Sequence, residues 1–466
     1  MPSPPTPTDD EAADRADDVE STPAQHDARP NFWLRRVVVV GGIVAVFATA
    51  ALVVAQVIET SSAENASGSI DDDWDRVVLV DQRTGRVTVD DDQGEEVSRI
   101  ETGLRSVTSS RTVAGTTVLT AAAGAVVVDL DAEEATDIEL ADGTIAQPSG
   151  SALTMILAPT GGASGLLVHG PSGDVLDTDS FAPIPGTRFE WDDARSDPSG
   201  RHVFVTDSGN FQSVLFSFER DEPTYVPGLA LAVDDRVIVT AQNVGAEATI
   251  NVFDHDGSAI SSGTAPSVRT ALISGESVHL VTVDGEVVTM ATTSGETGSS
   301  ESLGIGAVAS GTVSTDGERL IVSGSDGTAI VDVDGDLVGA YPGLALPATP
   351  WATQGSTCVA LADDAAAPAS VTIVELLDGS IANEAEIREP LFFSADGCTM
   401  ASAVADGYQL VSPSAISTID SDGELIGLSP DAAAVVLELD RRIVLDRPDA
   451  DEPVDLGPPG RTVEFT

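Results

Sequence analysis

Ten short apolar runs recur along the chain at nearly regular intervals. They begin at residues 76, 116, 151, 201, 235, 277, 318, 356, 398 and 434, and successive starts are 34 to 50 residues apart. Typical members are "RVVLVD", "RHVFVT" and "ERLIVS", and most lead through a turn into a partner run such as "GRVTVD" or "TAIVDVD". No helical periodicity interrupts them, so the pattern predicts β-strands throughout this part of the chain.

A period of about 40 residues accommodates four strands of five or six residues with their turns. Repetition of such a unit predicts a β-propeller, because stacking around a ring covers both faces of every blade. We therefore predict an all-β fold, a single propeller of four-stranded blades over residues 74–466. Ten units are counted, and seven or eight blades with irregular connections are the alternative. The first unit lacks a preceding strand, and "RTVEFT" (461–466) is expected to supply it and close the ring.

One repeat carries a family resemblance. "LVDQRTGRVTVDD" (79–91) is similar to the quinoprotein repeat, an aliphatic-Asp-x-x-Thr-Gly-x-x-x-Trp strand pair, and Val80, Asp81, Thr84 and Gly85 match it. Asp90 stands where that family has its docking tryptophan. Over residues 74–466 the architecture resembles the WD-repeat and quinoprotein-type propellers, with degenerate repeats. The resemblance is to a propeller that forms the ectodomain of a membrane-anchored bacterial protein. The resemblance implies the fold and transfers no function.

The segment before the repeats predicts a membrane anchor. Val37 to Ile58 is 22 residues without a charge, enough for a helix to cross a bilayer, and Arg35 and Arg36 abut it. We expect a disordered, acidic, proline-rich cytoplasmic tail (1–31), a transmembrane helix with its flank (32–58), a flexible stalk (59–73) and an extracytoplasmic propeller. The predicted location is the cell membrane, single-pass, with the N-terminus in the cytoplasm. A cleaved signal peptide is the rival interpretation.

The charge excludes several functions. The chain has 76 acidic and 22 basic side chains, a formal net charge of -54, so it would repel nucleic acid. All the basic side chains are arginines. Without lysine the chain cannot form a P-loop, a Schiff-base centre or a Ser-Lys dyad.

Asp-Gly pairs recur between the strand-like runs and raise the question of calcium. "DVDGD" (332–336), "DHDG" (254–257) and "DSDGE" (420–424) place oxygens two residues apart. None has the remaining ligands of a helix-loop-helix calcium site at the required spacing. We therefore predict tight turns, in which glycine supplies a positive φ. No cofactor is predicted, and calcium is the alternative.

Other candidate residues are few. Cys358 and Cys398 form a candidate disulfide, with buried free thiols as the alternative. "RFEWDDARSDPSGR" (188–201) contains three arginines and is either a loop over the propeller mouth that recognises an anionic or aromatic group or a strand whose Trp191 packs between blades. The second interpretation is favoured. His202 and His279 lie in strand runs and are expected to be structural. No catalytic, cofactor-binding or metal-binding residue is nominated.

The combined pattern favours a membrane-anchored binding or scaffold module at the cell envelope, with an envelope protein or glycan as its partner. A propeller enzyme (a dehydrogenase, lactonase or glycan-active hydrolase) is the alternative, and the sequence does not favour it. A transmembrane sensor is the second alternative.

Overall fold

The computed structural model describes residues 74–465 apart from short internal gaps. The gaps are residues 140–144, 149–152, 159–161, 179–183, 315–316, 346–356, 365–367, 390, 395–397, 430 and 449–451. The predicted tail, membrane helix and stalk all fall in residues 1–73, outside the described residues. Within the described residues, no helix has the length and apolar character needed to cross a membrane.

The described residues form ten four-stranded antiparallel sheets, the blades, whose strands run in order from the inner to the outer edge. Blade 1 consists of β40 (Arg461–Phe465), β1 (Arg76–Asp81), β2 (Arg86–Asp91) and β3 (Glu96–Glu101). Blade 2 consists of β4 (Val107–Val113), β5 (Thr116–Ala121), β6 (Gly124–Asp129) and β7 (Glu134–Ile138). Blade 3 consists of β8 (Ile145–Pro148), β9 (Thr154–Ala158), β10 (Leu166–His169) and β11 (Asp174–Asp177). Blade 4 consists of β12 (Arg195–Ser196), β13 (His202–Asp207), β14 (Gln212–Ser217) and β15 (Thr224–Pro227). Blade 5 consists of β16 (Leu229–Val233), β17 (Val237–Val244), β18 (Glu247–Asp254) and β19 (Ala259–Pro266).

The remaining five blades repeat this order. Blade 6 consists of β20 (Val268–Ser274), β21 (Ser277–Thr282), β22 (Glu286–Ala291) and β23 (Thr297–Ser302). Blade 7 consists of β24 (Val308–Val313), β25 (Arg319–Gly324), β26 (Thr328–Asp332) and β27 (Leu337–Tyr341). Blade 8 consists of β28 (Leu344–Ala345), β29 (Cys358–Ala362), β30 (Ser370–Glu375) and β31 (Ile381–Glu386). Blade 9 consists of β32 (Leu391–Phe393), β33 (Met400–Val404), β34 (Gly407–Val411) and β35 (Ile416–Asp420). Blade 10 consists of β36 (Glu424–Leu428), β37 (Val435–Leu439), β38 (Arg442–Asp446) and β39 (Val454–Gly457). In the part of the chain that the structure describes, two short 3₁₀ helices, Gly170–Ser172 and Trp191–Asp193, lie among these strands.

The ten blades close into one ring. Ten clusters of buried apolar side chains are present, one between each pair of neighbouring blades. The cluster between blades 10 and 1 joins Val77 and Leu79 to Val436 and Leu445. β40 pairs antiparallel with β1, with Val463 opposite Leu79, so the strand near the end of the sequence completes the first blade. The predicted single propeller, its ten units and its closure by residues 461–466 are confirmed, and the seven- or eight-bladed alternative is wrong.

The ten apolar runs are the second strands of the ten blades. In β1, Val78 and Val80 pack toward blade 2, whereas Val77 and Leu79 pack toward blade 10. A strand covered on both faces carries apolar residues at every position rather than at alternate ones. This double burial explains why the runs dominate the sequence pattern.

The edges of each blade differ. Outer strands such as β23 are exposed along their whole length. Inner strands of neighbouring blades contact one another around most of the ring, including β16 with β20 and β36 with β40. The inner strands therefore surround the propeller axis, and the outer strands face away from it.

Candidate functional site

The charge of the inner strands is opposite to that of the rest of the chain. The ten inner strands carry four arginines (Arg111, Arg195, Arg269 and Arg461) and two acidic residues (Glu424 and Glu464). The ten outer strands carry eleven acidic residues and one arginine. Because the whole chain has 76 acidic and 22 basic side chains, the walls of the axial channel are locally enriched in positive charge.

One cavity lies where four consecutive inner strands converge. This axial cavity has a volume of about 70 Å³ and is lined by residues 194–196 and 198 of blade 4, 231–234 of blade 5, 271–273 of blade 6, and 311–314 and 317 of blade 7. These segments are the second halves of the inner strands and the loops that follow them. The cavity therefore lies at the end of the channel where the inner strands run into the second strands.

The one cation among the lining residues of the axial cavity is Arg195. Its Nη1 donates to the carbonyl oxygens of Asp193 (3.0 Å) and Ala194 (3.3 Å). Burial lowers the pKa of the Arg195 guanidinium, the negative charge of Asp193 raises it, and the positive charge of Arg269 lowers it. Two arginines of blades 4 and 6 therefore lie close enough to repel each other.

Neither arginine has a carboxylate within 4.0 Å among the described residues. Arg269 donates from Nε to the carbonyl of Ala309 at 3.2 Å. A guanidinium has five N–H donors, and these contacts use only part of them. The remaining donors of Arg195 can bind an acceptor in the axial cavity.

The other two inner-strand arginines have partners at the junction where the ring closes. Arg111 lies 3.9 Å from Glu464, and Glu464 also accepts a hydrogen bond from the Thr112 N–H. Burial raises the pKa of the Glu464 carboxyl, whereas Arg111 and Thr112 lower it. Arg461 donates to the carbonyl of Leu456 in blade 10. These contacts hold β40 to both of its neighbouring blades.

A second concavity lies at the opposite face of the ring, between blades 8 and 9. This interblade groove has a volume of about 1020 Å³, and its lining includes Ser370, Glu386, Arg388, Ser402 and Gln409. It is formed by connections between second and third strands and by the connection from blade 8 to blade 9. Arg388 is bonded through its backbone N–H to Ser402 Oγ at 2.7 Å, which fixes that connection.

The strand histidines connect blades. His169 Nε2 lies 3.0 Å from the carbonyl of Ser199 in blade 4, and His279 Nε2 lies 2.8 Å from the carbonyl of Val333 in blade 7. Burial lowers the pKa of both imidazoles. His202 is also buried, and its ring lies 4.5 Å from that of His255. His169 and His279 therefore join neighbouring blades, in line with the structural role that the sequence predicts for His279. The structural role of His202 stays a prediction.

Cys358 and Cys398 come together between blades 8 and 9. Their Cα atoms are 5.4 Å apart, and the two sulfur atoms lie at bonding distance. The first residue of β29 and the position two residues before β33 therefore approach closely enough for the candidate disulfide. Both residues belong to the apolar cluster between these blades.

Most of the described Asp-Gly pairs are turns between strands of one blade, whereas Asp422-Gly423 lies in the connection between blades 9 and 10 and Gly423 does not have a positive φ. Gly335 has a φ of 83°, and the carboxylate of Asp332 accepts the N–H groups of Asp334 (3.0 Å) and Asp336 (2.9 Å). This carboxylate therefore stabilises the turn between β26 and β27. Among the described residues, no group of three or more His, Cys, Asp or Glu side chains is arranged to hold a metal ion. Asp316 and the Asp396-Gly397 pair lie outside the described residues.

The distinctive segment 188–201 has two roles. Trp191 is 2% exposed and packs with Phe189 and Phe216 between blades 3 and 4. The favoured packing interpretation is confirmed, but Trp191 lies in a 3₁₀ helix and not in a strand. The alternative interpretation, a loop that recognises an anionic or aromatic group, includes Arg195 among the three arginines of the segment but does not single it out, because recognition of β12 as an inner strand requires the sheet order.

Comparisons with known proteins add no function. No family model matches the chain, and no curated protein matches it. Among solved structures it is similar to one described as the eukaryotic initiation factor, with 13% identity, 75% of this chain and 97% of that chain covered, and a TM-score of 0.47. It is also similar to the dihydro-heme d1 dehydrogenase NirN in complex with DHE (12% identity, 84% and 74% covered, TM-score 0.40). A third is AztD from Citrobacter koseri (11% identity, 84% and 98% covered, TM-score 0.39). The propeller assignment rests on the sheet topology and not on these likenesses.

Proposed function

We propose that the protein is a membrane-anchored binding module whose ligand enters the axial channel of an extracytoplasmic propeller. The observation that carries the proposal is the concentration of positive charge on the inner strands together with the axial cavity between blades 4 and 7. Inner strands from four blades contribute to one cavity, and closure of the ring holds those strands in fixed positions.

Anchoring of the chain is supported by its sequence. The uncharged stretch Val37 to Ile58 and the adjacent Arg35 and Arg36 favour a single span with the N-terminus in the cytoplasm. A protease added to intact spheroplasts should digest the propeller and leave the N-terminal tail protected. Protection of the propeller, or its release into the medium as a processed protein, would contradict the proposed topology.

The binding role predicts that blocking the axial cavity removes a ligand. Thr312 lies on an inner strand and lines this cavity, so Thr312→Trp should fill it. We expect native mass spectrometry of the full chain, purified in detergent from its own membranes, to show a retained small molecule that the variant lacks. Thr418→Trp, at an exposed position of outer strand β35, is the matched control and should retain the molecule. Equal retention by both variants, or no retained molecule in the unmodified protein, would contradict a binding role for this cavity.

A further inference from the structure

The lining of the axial cavity combines one cation with an apolar wall. Leu231, Val233, Ile273 and Val313 supply much of that wall, and Arg195 supplies the positive charge. A site that is mostly apolar with one convergent charged group selects a ligand with an apolar body and one group of opposite charge.

Among the described lining residues the one acidic side chain is Asp234, and it is bonded within its own loop. Its Oδ1 accepts the N–H groups of Arg236 (2.9 Å) and Val237 (2.7 Å). Its Oδ2 accepts from the guanidinium of Arg236 at 3.1 Å. These contacts compensate the charge of Asp234, so among the described lining residues Arg195 sets the charge preference of the cavity.

We propose that the axial cavity binds the carboxylate group of a small organic acid, with Arg195 as its anchor and a short apolar chain packed against the walls. The proposal rests on the binding role of this cavity and adds the ligand class. A planar guanidinium matches the two oxygens of a carboxylate, and one arginine beside an apolar wall suits a monoanion better than a phosphate. The acidic outer surface disfavours non-specific adsorption of the same anions.

The test is isothermal titration of the full chain in detergent with sodium butyrate, butyramide and inorganic phosphate. We expect saturable binding of butyrate and none of butyramide, because butyramide has the same shape without the charge. Arg195→Gln should weaken butyrate binding about 10-fold or more, since it removes a hydrogen bond to a charged group. Arg195→Lys keeps the charge but loses the fork of donors and should bind with intermediate affinity. Arg83→Gln, in an exposed turn of blade 1, is the control and should bind butyrate like the unmodified protein.

Several results would overturn the inference. Equal binding of butyramide, preference for phosphate, the absence of butyrate binding, or unchanged butyrate affinity in Arg195→Gln would each do so. Circular dichroism and thermal unfolding of each variant establish that it is folded, and Arg195→Lys provides the comparison if Arg195→Gln is not. Loss of the retained molecule in Thr312→Trp combined with unchanged affinity in Arg195→Gln would leave the binding role standing and refute the carboxylate assignment. Failure of the binding role itself would instead appear as equal ligand retention by Thr312→Trp and Thr418→Trp.

Discussion

Replacement of Asp90 by asparagine should stabilise the protein at neutral pH. Asp90 is 4% exposed on the third strand of blade 1, and its Oδ1 has no hydrogen-bond partner among the described residues. Burial raises the pKa of this carboxyl to about 6 from its ordinary value of 3.8. Arg461 and Arg99 lower the pKa, and Glu96 and Asp91 raise it.

The magnitude follows from proton linkage. A carboxyl whose pKa is raised on folding contributes most stability below the unfolded-state pKa, and that contribution falls as pH rises toward the folded-state pKa. For values of 3.8 and about 6, the charged Asp90 costs about 3 kcal/mol at pH 7.5 and about 0.5 kcal/mol at pH 4.0. The buried amide of the variant costs about 1 kcal/mol for its own unmade hydrogen bonds. Asp90→Asn should therefore gain about 2 kcal/mol at pH 7.5 and lose about 0.5 kcal/mol at pH 4.0.

Urea unfolding followed by tryptophan fluorescence measures this difference. Trp74 reports on the same junction, because its ring lies 4.9 Å from that of Phe465 on β40 and its Nε1 donates to Asp431. Asp137→Asn, on the exposed outer strand β7, should change stability by less than about 0.5 kcal/mol at either pH. A gain of equal size at pH 4.0 and pH 7.5, or no gain at pH 7.5, would refute the assignment of the cost to the buried charge.

Three further predictions concern the connections within the ring. If Cys358 and Cys398 form the disulfide, thiol titration of the denatured, unreduced protein should find no free thiol. Reduction should then lower the free energy of unfolding by about 4 kcal/mol, for a sequence separation of 40 residues. Two titrating thiols would show that the bond is absent. Asp207 is fully buried and accepts four hydrogen bonds, from the N–H groups of Arg188 and Gly209 and the side chains of Asn210 and Gln212, so Asp207→Ala should cost about 3 kcal/mol of unfolding free energy. Burial alone would raise the pKa of Asp207, but these hydrogen bonds lower it below 3.8. In the unmodified protein the contribution of Asp207 to stability should therefore be lost as pH falls below about 4. A melting temperature with the same acid dependence in Asp207→Asn would contradict this. Deletion of residues 461–466 removes β40 and exposes the edge of β1, so the shortened chain should associate and unfold at a lower temperature. If light scattering shows a monomer and the melting temperature is unchanged, β40 is dispensable.

Much of the architecture could be predicted because it depends on local pattern and spacing. The second strands are buried on both faces, so they appear in the sequence as continuous apolar runs such as "RVVLVD". The alternating Val463 and Phe465 likewise indicated a strand that packs on one side, and both contact the cluster between blades 10 and 1. Asp-Gly turns can be predicted from the sequence because glycine itself adopts the positive φ that a tight turn needs.

The candidate site could not be predicted in the same way. The inner strands are short, and β12 and β28 have only two residues each, so they leave little pattern in the sequence. The significance of Arg195 depends on the sheet order, which places it beside residues of blades 5, 6 and 7 that follow it by 36 to 122 positions. The sequence predicts the packing of Trp191 between blades because its burial follows from its apolar area, but its 3₁₀ conformation depends on the local chain path.

The inner-strand arginines have a structural explanation that competes with the ligand explanation. The inner edge of a blade has unpaired backbone groups, and Arg269 donates to a carbonyl oxygen of inner strand β24. Arg195 donates to the carbonyl oxygens of Asp193 and Ala194, just before inner strand β12. If satisfying carbonyls were the whole role of Arg195, a neutral donor at this position would leave ligand affinity unchanged. Glutamine at position 195 keeps a donor and removes the charge. The butyrate affinity of Arg195→Gln therefore separates the two explanations, because only the ligand explanation predicts that it falls.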